Sequence, residues 1–419
     1  MSGIMRKVDL VWQDIFKDLP ILTEVQECGR FEITADIIKH YYEPRLVTKF
    51  DFSQALPEVM RENKISILPN TTGSYLLGKF NIFKDFPEET DKVYPVSFPD
   101  WIESIDPNNI QSEAIAITAA TITPMFADFF GDDRLVGTVS GRMGSGHFDF
   151  MIDNINIEVN SSQIEIDGAL ESPDRFVLLE GKNVLHDDFI VRQLYYPYRT
   201  FKDKITKPIH SVFITYSNNV YRLMEYRFAD PMHYDSCEFI REKKYCIDSD
   251  AITINDILQI YKNTRPIPES PDIPYIQCDS FPKIINIVEN LSTRENMTEE
   301  DITELFGFTP RQGNYYYNGC RFLGLVQKDK QVITLTERGN RIISSRNYKE
   351  KQLILAEYIL EHSVFREMFD IYLRTKQMPD KAITIEIMRK LNVCSEGLIV
   401  RRCSSTLSWF RWLIALFAD

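Results

Sequence analysis

Ile164-Glu-Ile-Asp-Gly-Ala-Leu-Glu-Ser-Pro-Asp-Arg-Phe-Val-Leu-Leu-Glu-Gly-Lys182 reads as two strands flanking a turn. Ser172-Pro-Asp-Arg175 carries good turn residues,. A hairpin symmetric about Pro173 and Asp174 sets Asp167 opposite Glu180 and Glu165 opposite Lys182. Strand side chains alternate between faces, so these four charged residues are expected on one face. Directly opposed residues have Cβ atoms about 5 Å apart. Two carboxylates that close repel unless a cation lies between them. A hard divalent ion such as Mg²⁺ suits an oxygen donor set. Asp167 and Glu180 are therefore the expected metal ligands, and Lys182 the amine that positions water or stabilises charge on a phosphate. A solvated strand face with alternating charges is the plain alternative. Against it, Val177-Leu-Leu179 marks the second strand as buried, and buried carboxylates need partners.

Outward from this hairpin, the text from about residue 106 alternates helical and strand-like segments. Ile110, Ala114, Ile117 and Ala120 recur at helical spacing, and Pro124 should end or kink that helix,. Strands are expected at 135–140, 147–152, 155–159, 164–170, 176–180 and 211–216, and a helix at 187–196. That order predicts an α/β unit with a mixed sheet over 106–262. Gly141-Arg-Met-Gly-Ser-Gly146 lacks the Lys-Ser/Thr ending of a phosphate loop and reads as a turn between core strands,. Residues 1–105 read as an α+β module, one use of which is DNA recognition. Four prolines between Asn263 and Tyr275 mark 263–280 as a linker,.

Residues 281–419 are helical with one hairpin. Thr298 and Asp301 form a capping-box pattern, Pro310 opens a second helix, and Val326–Leu335 is a hairpin with a basic tip,. That layout is a winged helix, whose second helix is expected in the major groove. Arg311, Gln312, Asn314, Asn318 and Arg321 suit base edges or phosphates, and Lys328 and Lys330 suit phosphates. Protein packing is the alternative use of such a unit. Helices from Ala382 and from Ser395 follow; Arg401 and Arg402 on the latter are further candidates for DNA.

The spacing Asp167-x(12)-Glu180-x-Lys182 resembles the core of the PD-(D/E)XK nucleases, although Ile166 stands where that pattern has proline. The resemblance implies an upstream helix glutamate, which would be Glu113, and a following helix carrying Gln193 near the water or DNA. Arg142 and Arg192 become candidate DNA contacts; plain surface roles are the alternative for all four. Arg311-Gln-Gly-Asn-Tyr-Tyr-Tyr317, Leu323-Gly-Leu325 and Leu335-Thr-Glu-Arg-Gly339 are similar to text in Type II restriction enzymes with a C-terminal winged-helix region. The implied activity is Mg²⁺-dependent hydrolysis of double-stranded DNA by a homodimer, since cutting both strands needs two sites. A DNA methyltransferase of the same specificity is implied as a genetic partner. A methylation-dependent or repair nuclease, and a non-catalytic winged-helix regulator, are the competing readings.

Composition weighs on the other side. The net charge is −13. Residues 281–419 hold 20 Lys+Arg against 17 Asp+Glu, leaving 28 against 44 for residues 1–280. The acidity thus falls on the region expected to do chemistry, where a bound cation and a local basic face would have to offset it. Seven scattered cysteines without a C-x-x-C pair argue against zinc and disulfides and for a reducing, cytoplasmic setting,. Neither a signal peptide nor a membrane span is expected.

Overall fold

The computed structural model describes residues 6–417. The N-terminal unit holds α1 (Lys7–Asp18), α2 (Ile21–Cys28), β1 (Arg30–Thr34), α3 (Ala35–Lys39), α4 (Pro44–Val47), α5 (Glu58–Glu62), β2 (Ser66–Pro69) and β3 (Ser74–Gly78). Its antiparallel sheet runs β1-β3-β2, and its own core centres on Trp12, Ile15, Ile33, Met60 and Leu77.

The central unit takes β4 (Phe83–Asp85), β5 (Val93–Val96), α6 (Glu113–Ile122), α7 (Met125–Phe130), β6 (Val136–Gly137), β7 (Gly141–Gly144), β8 (His147–Ile152) and β9 (Ile155–Asn160). It continues with β10 (Gln163–Ile166), β11 (Gly168–Glu171), β12 (Phe176–Lys182), β13 (Asp188–Ile190), α8 (Arg192–Lys202), β14 (Ile209–Ser217), β15 (Val220–Phe228), β16 (Cys237–Ile247) and α9 (Ile254–Asn263). Seven strands make one mixed sheet in the order β5-β16-β15-β14-β12-β11-β6. The β12–β14 and β16–β5 pairs are parallel and the others antiparallel. Both faces are covered. Val177 and Leu179 pack with Ile117 and Ala120 of α6, while Phe176 and Leu178 pack with Leu194 and Tyr195 of α8. The mixed α/β character expected from the sequence is what the chain adopts.

The two strands after Ser217, β15 and β16, were not expected, and the strand pattern differs from expectation in four further places. The segment 164–170 is not one strand. It breaks at Asp167, with β10 pairing β7 in a separate two-stranded sheet and β11 entering the central one. Gly141–Gly144 is strand rather than turn, with Gly141 and Gly146 at φ 100 and 74 marking its ends. Residues 188–190 are strand, pairing β4, and the helix begins only at Arg192. Finally, β4 and β5 pair with strands of the central unit, so the sheet draws on residues before 106.

The C-terminal unit comprises α10 (Phe281–Thr293), α11 (Glu299–Phe306), α12 (Pro310–Phe322), β17 (Val326–Asp329), β18 (Val332–Leu335), α13 (Glu337–Ile343), α14 (Tyr348–Leu360), α15 (Ser363–Thr375), α16 (Lys381–Lys390) and α17 (Glu396–Ala415). Capping boxes start α11 and α12, each satisfying two backbone or hydroxyl donors that the first turn leaves open,. The prolyl stretch before α10 lies against this unit: Tyr275, Ile276 and Cys278 are buried in its core. Helices α11 and α12 cross closely at Gly313, where an added Cβ would sit 2.0 Å from Thr303 Oγ1. Gly313→Ala is expected to cost about 1–3 kcal/mol by overpacking, seen as earlier thermal unfolding of the C-terminal unit.

Candidate active site

The break at Asp167 builds the site. The hairpin register continues from Glu171↔Phe176 to Gly168↔Leu179, so Asp167 is the residue next in line with Glu180. It no longer pairs as strand; instead its Oδ2 accepts from the Gly181 amide at 2.9 Å. Gly181 allows this crowding, since its Cα faces Ile117, with a Cβ there only 3.0 Å from Ile117 Cδ1. Glu180 and Lys182 alternate with Gly181 and meet above it, Lys182 Nζ donating to Glu180 Oε1 at 2.7 Å. Glu113, the first residue of α6, reaches the end of β12, its Oε1 3.3 Å from the Asn183 amide. Glu165 does not face Lys182. The strand break turns it into the β7–β10 ribbon, where Arg142 Nε is 3.4 Å from its Oε1.

These residues line one cleft of about 750 Å³ between the central and N-terminal units. Arg142, Arg192, Gln193 and Tyr196 line it with Glu113, Glu165, Asp167, Glu180 and Lys182. From the N-terminal unit, residues 45, 46 and 48–51 line the opposite wall together with Ile67, Pro69 and Tyr75. The sequence reading missed Asp51 altogether. It sits in a turn-rich stretch whose relation to β12 exists only once the two units dock. The Ile190 amide donates to the Asp51 carbonyl at 2.9 Å, which fixes it there.

The electrostatics are those of a crowded acidic floor. Burial pushes the Glu180 carboxyl up to about 8; Lys182 opposes this, and the Asp167 and Asp51 carboxylates reinforce it. Burial likewise raises Glu113, opposed by Lys182. Burial works against the charge on Lys182, but Glu180, Asp51 and Glu113 outweigh it and hold the ammonium above its usual range. Two oxygens in the cleft, Asp51 Oδ1 and Gln193 Oε1, are buried without a hydrogen-bond partner among the described residues. Buried acceptors left unpaired are costly. All-oxygen donors, mutual repulsion and an orphaned carboxylate oxygen fit a hard divalent cation. Among the described residues, no group of three or more His, Cys, Asp or Glu side chains is already gathered in ligand array.

The loop leaving Lys182 ties the site to both neighbours. The Leu185 amide donates to Asn286 Oδ1 at 3.0 Å, and Asn286 Nδ2 returns to the Asn183 carbonyl at 2.9 Å. His186 stacks on Phe52 with ring centroids 3.8 Å apart, and its Nε2 meets the Leu305 carbonyl at 2.9 Å. Burial pushes the His186 imidazole down to about 4.

Of the C-terminal candidates, Arg311, Asn314, Asn318 and Arg321 fall along one side of α12, with Tyr316 and Tyr317 buried behind them. Arg401 of α17 joins them, its Nη2 3.2 Å from Tyr315 Oη, which Arg311 also contacts. Gln312 is committed elsewhere: its Oε1 caps α12 by accepting from Thr309 at 2.9 Å. Lys328 is paired with Glu299 at 2.8 Å, while Lys330 occupies the exposed hairpin tip at φ 55. Arg402 is half-buried and turned toward Cys394, away from Arg401's neighbours.

Three family models match the chain, each described as a domain of unknown function: DUF6996 over residues 9–77, DUF6997 over 78–246 and DUF7226 over 283–418. No curated protein and no solved structure matches it. Asp51 therefore falls within the first matched region, and Glu113, Asp167, Glu180 and Lys182 within the second.

Proposed function

We propose that this chain is a Mg²⁺-dependent endonuclease of the PD-(D/E)XK type that hydrolyses phosphodiester bonds of double-stranded DNA, acting as a Type II restriction enzyme. The observation that carries the reading is Glu180: a carboxyl only 6% exposed, crowded by Asp167 and Asp51 and bonded to a charged lysine. A fold gains nothing from such crowding unless a cation and an anionic substrate join it. Asp167 and Glu180 would hold the ion, with Asp51 beside them. When bound, the ion lowers the pKa of water and stabilises charge on a phosphate oxygen.

The remaining steps belong to the protein's own groups. Lys182 stays an ammonium at neutral pH, so it donates rather than accepts protons, orienting the attacking water and meeting negative charge as it develops on phosphorus oxygens. Glu113, whose carboxyl burial raises above its ordinary value and which reaches the end of β12, would serve as the proton acceptor. Gln193 offers an amide to the water or the backbone. The α12 face with Arg311, Asn314, Asn318 and Arg321 would read the major groove, Arg401 and Lys330 adding phosphate contacts. A homodimer would bring two such sites to the two strands, and a methyltransferase of matching specificity would protect host DNA.

Digestion of a sequenced, unmethylated plasmid with Mg²⁺, followed by mapping of the ends, tests the proposal. Discrete fragments with a shared end sequence are expected. Cleavage only of methylated substrate would point to a modification-dependent enzyme instead, and binding without any cutting would refute the nuclease reading.

A further inference from the structure

We infer that the N-terminal unit forms one bank of the DNA path, with Arg45 and Lys49 holding phosphates of the strand whose scissile bond lies over Asp167 and Glu180. This rests on the nuclease reading and adds to it a role for residues 6–78.

The argument begins with how charge is distributed in the cleft. Its floor is anionic and buried around Glu180, whereas its rim carries cations: Arg45 and Lys49 from the N-terminal unit, Arg142 and Arg192 from the central one. Residues 1–280 have a large acid excess, so partners for these cations are plentiful; Arg142 takes one, Glu165 at 3.4 Å, and the other three leave them largely unused. Lys49 is exposed and Arg192 half-buried, and neither forms an ion pair among the described residues. Arg45 comes no nearer than 3.8 Å to Glu43, with its side chain 82% exposed. Exposed pairs of that kind contribute almost nothing to stability. A single solvated lysine means little, but unneutralised cations from two separate units converging on one cleft do.

The N-terminal bank is fixed rather than mobile. The Thr72 hydroxyl donates to the Ser161 carbonyl at 2.7 Å, Tyr196 Oη to the Pro69 carbonyl at 2.9 Å, and the Ser53 amide to Asp188 Oδ1 at 2.8 Å. Arg45 and Lys49 are thereby carried on a wall held against the metal-site hairpin. A polyanionic strand fits this pattern. One phosphate meets the cation-loaded floor, and its neighbours along the backbone meet the rim. A neutral or monoanionic ligand would leave most of the rim charge unused.

Phosphate contacts are countable, because each one releases condensed counterions and steepens the salt dependence of binding by about 0.9 in log–log slope. The full chain and an Arg45→Ala/Lys49→Ala variant would be titrated against a short fluorescent nonspecific duplex at several salt concentrations. Ca²⁺, which takes the same hard oxygen ligands, would replace Mg²⁺. The variant's slope is expected to be shallower by about 1.8, so that the wild type loses roughly tenfold more affinity than the variant between about 50 and 200 mM salt. Arg45→Lys/Lys49→Arg keeps both charges and should retain the wild-type slope, and unchanged thermal unfolding of each variant would show the fold intact. Wild-type binding with the same slope in the alanine variant would overturn this inference while leaving the nuclease reading standing. Absence of DNA binding by the wild type would overturn both.

Discussion

On the proposed nuclease activity, Lys182→Ala is expected to eliminate Mg²⁺-dependent cleavage, lowering the rate of plasmid nicking by at least about 10²–10³-fold, the usual effect of removing one preorganised donor from a reacting oxyanion. The loss is expected in turnover and not in recognition. DNA affinity measured with Ca²⁺ should stay within a few-fold of wild type, because on this account the α12 face and the several cations of the cleft rim supply most of the phosphate contacts. Asp167→Asn should lose activity to a similar degree for a different reason: it removes a charged oxygen donor while preserving the shape that receives the Gly181 amide. A variant of either residue that still cuts at a wild-type rate would leave the acidic hairpin without a catalytic role.

Glu180→Gln is expected to stabilise the metal-free protein at pH 8 and above while abolishing cleavage. Glu180 has an ordinary value of 4.5 and is pushed up to about 8 in the fold by burial. A carboxyl whose pKa rises on folding takes up a proton as the chain folds. Its favourable contribution is full below about pH 4.5 and is lost as the pH climbs toward 8, where the buried carboxylate must be ionised. Glutamine keeps the shape without that cost. The apparent melting temperature should rise by about 2–4 °C for each kcal/mol regained in a unit of this size. Mg²⁺ should reverse the order, stabilising the wild type but not the variant, since a ligand stabilises only the state that binds it. Thermal melts from pH 5 to 9, with EDTA and with Mg²⁺, read both effects at once. A variant less stable than wild type at pH 8 without metal would contradict them.

The hairpin was legible in the sequence because its determinants are local. Ser172 to Arg175 form the turn, with the Ser172 amide bonded to the Arg175 carbonyl at 3.0 Å, and hydrophobic alternation sets the register that aligns Asp167 with Glu180. The helix cap at Thr298 and the helix start at Pro310 were readable for the same reason. What escaped depends on contacts between distant segments. Glu165 left the active face because β10 pairs with β7 rather than β12, a choice made by the ribbon that Ile164 and Ile166 bury beneath α8. Residues 188–190 became strand through pairing with β4, more than a hundred positions earlier. β15 went unread because a central, doubly covered strand such as Tyr221–Tyr226 is nearly continuous in burial and shows no alternation,; β16 shows none either, running from an exposed stretch at 238–241 to a buried one at 245–247. Asp51 had no signal of its own; only the docking of the N-terminal unit brings it to the cleft.

That docking also explains why the three matched regions act as one body around the site. Phe52, next to Asp51, lies between His186 and Gly307, where a Cβ would come within 2.5 Å of its ring.

The most direct test is crystallographic: crystals soaked in Mn²⁺ and examined for anomalous density. The account predicts a peak in the cleft about 2.0–2.6 Å from carboxylate oxygens of both Asp167 and Glu180, absent from crystals of Asp167→Asn. Density bound to only one of the two carboxylates, or none in the cleft at saturating Mn²⁺, would contradict it.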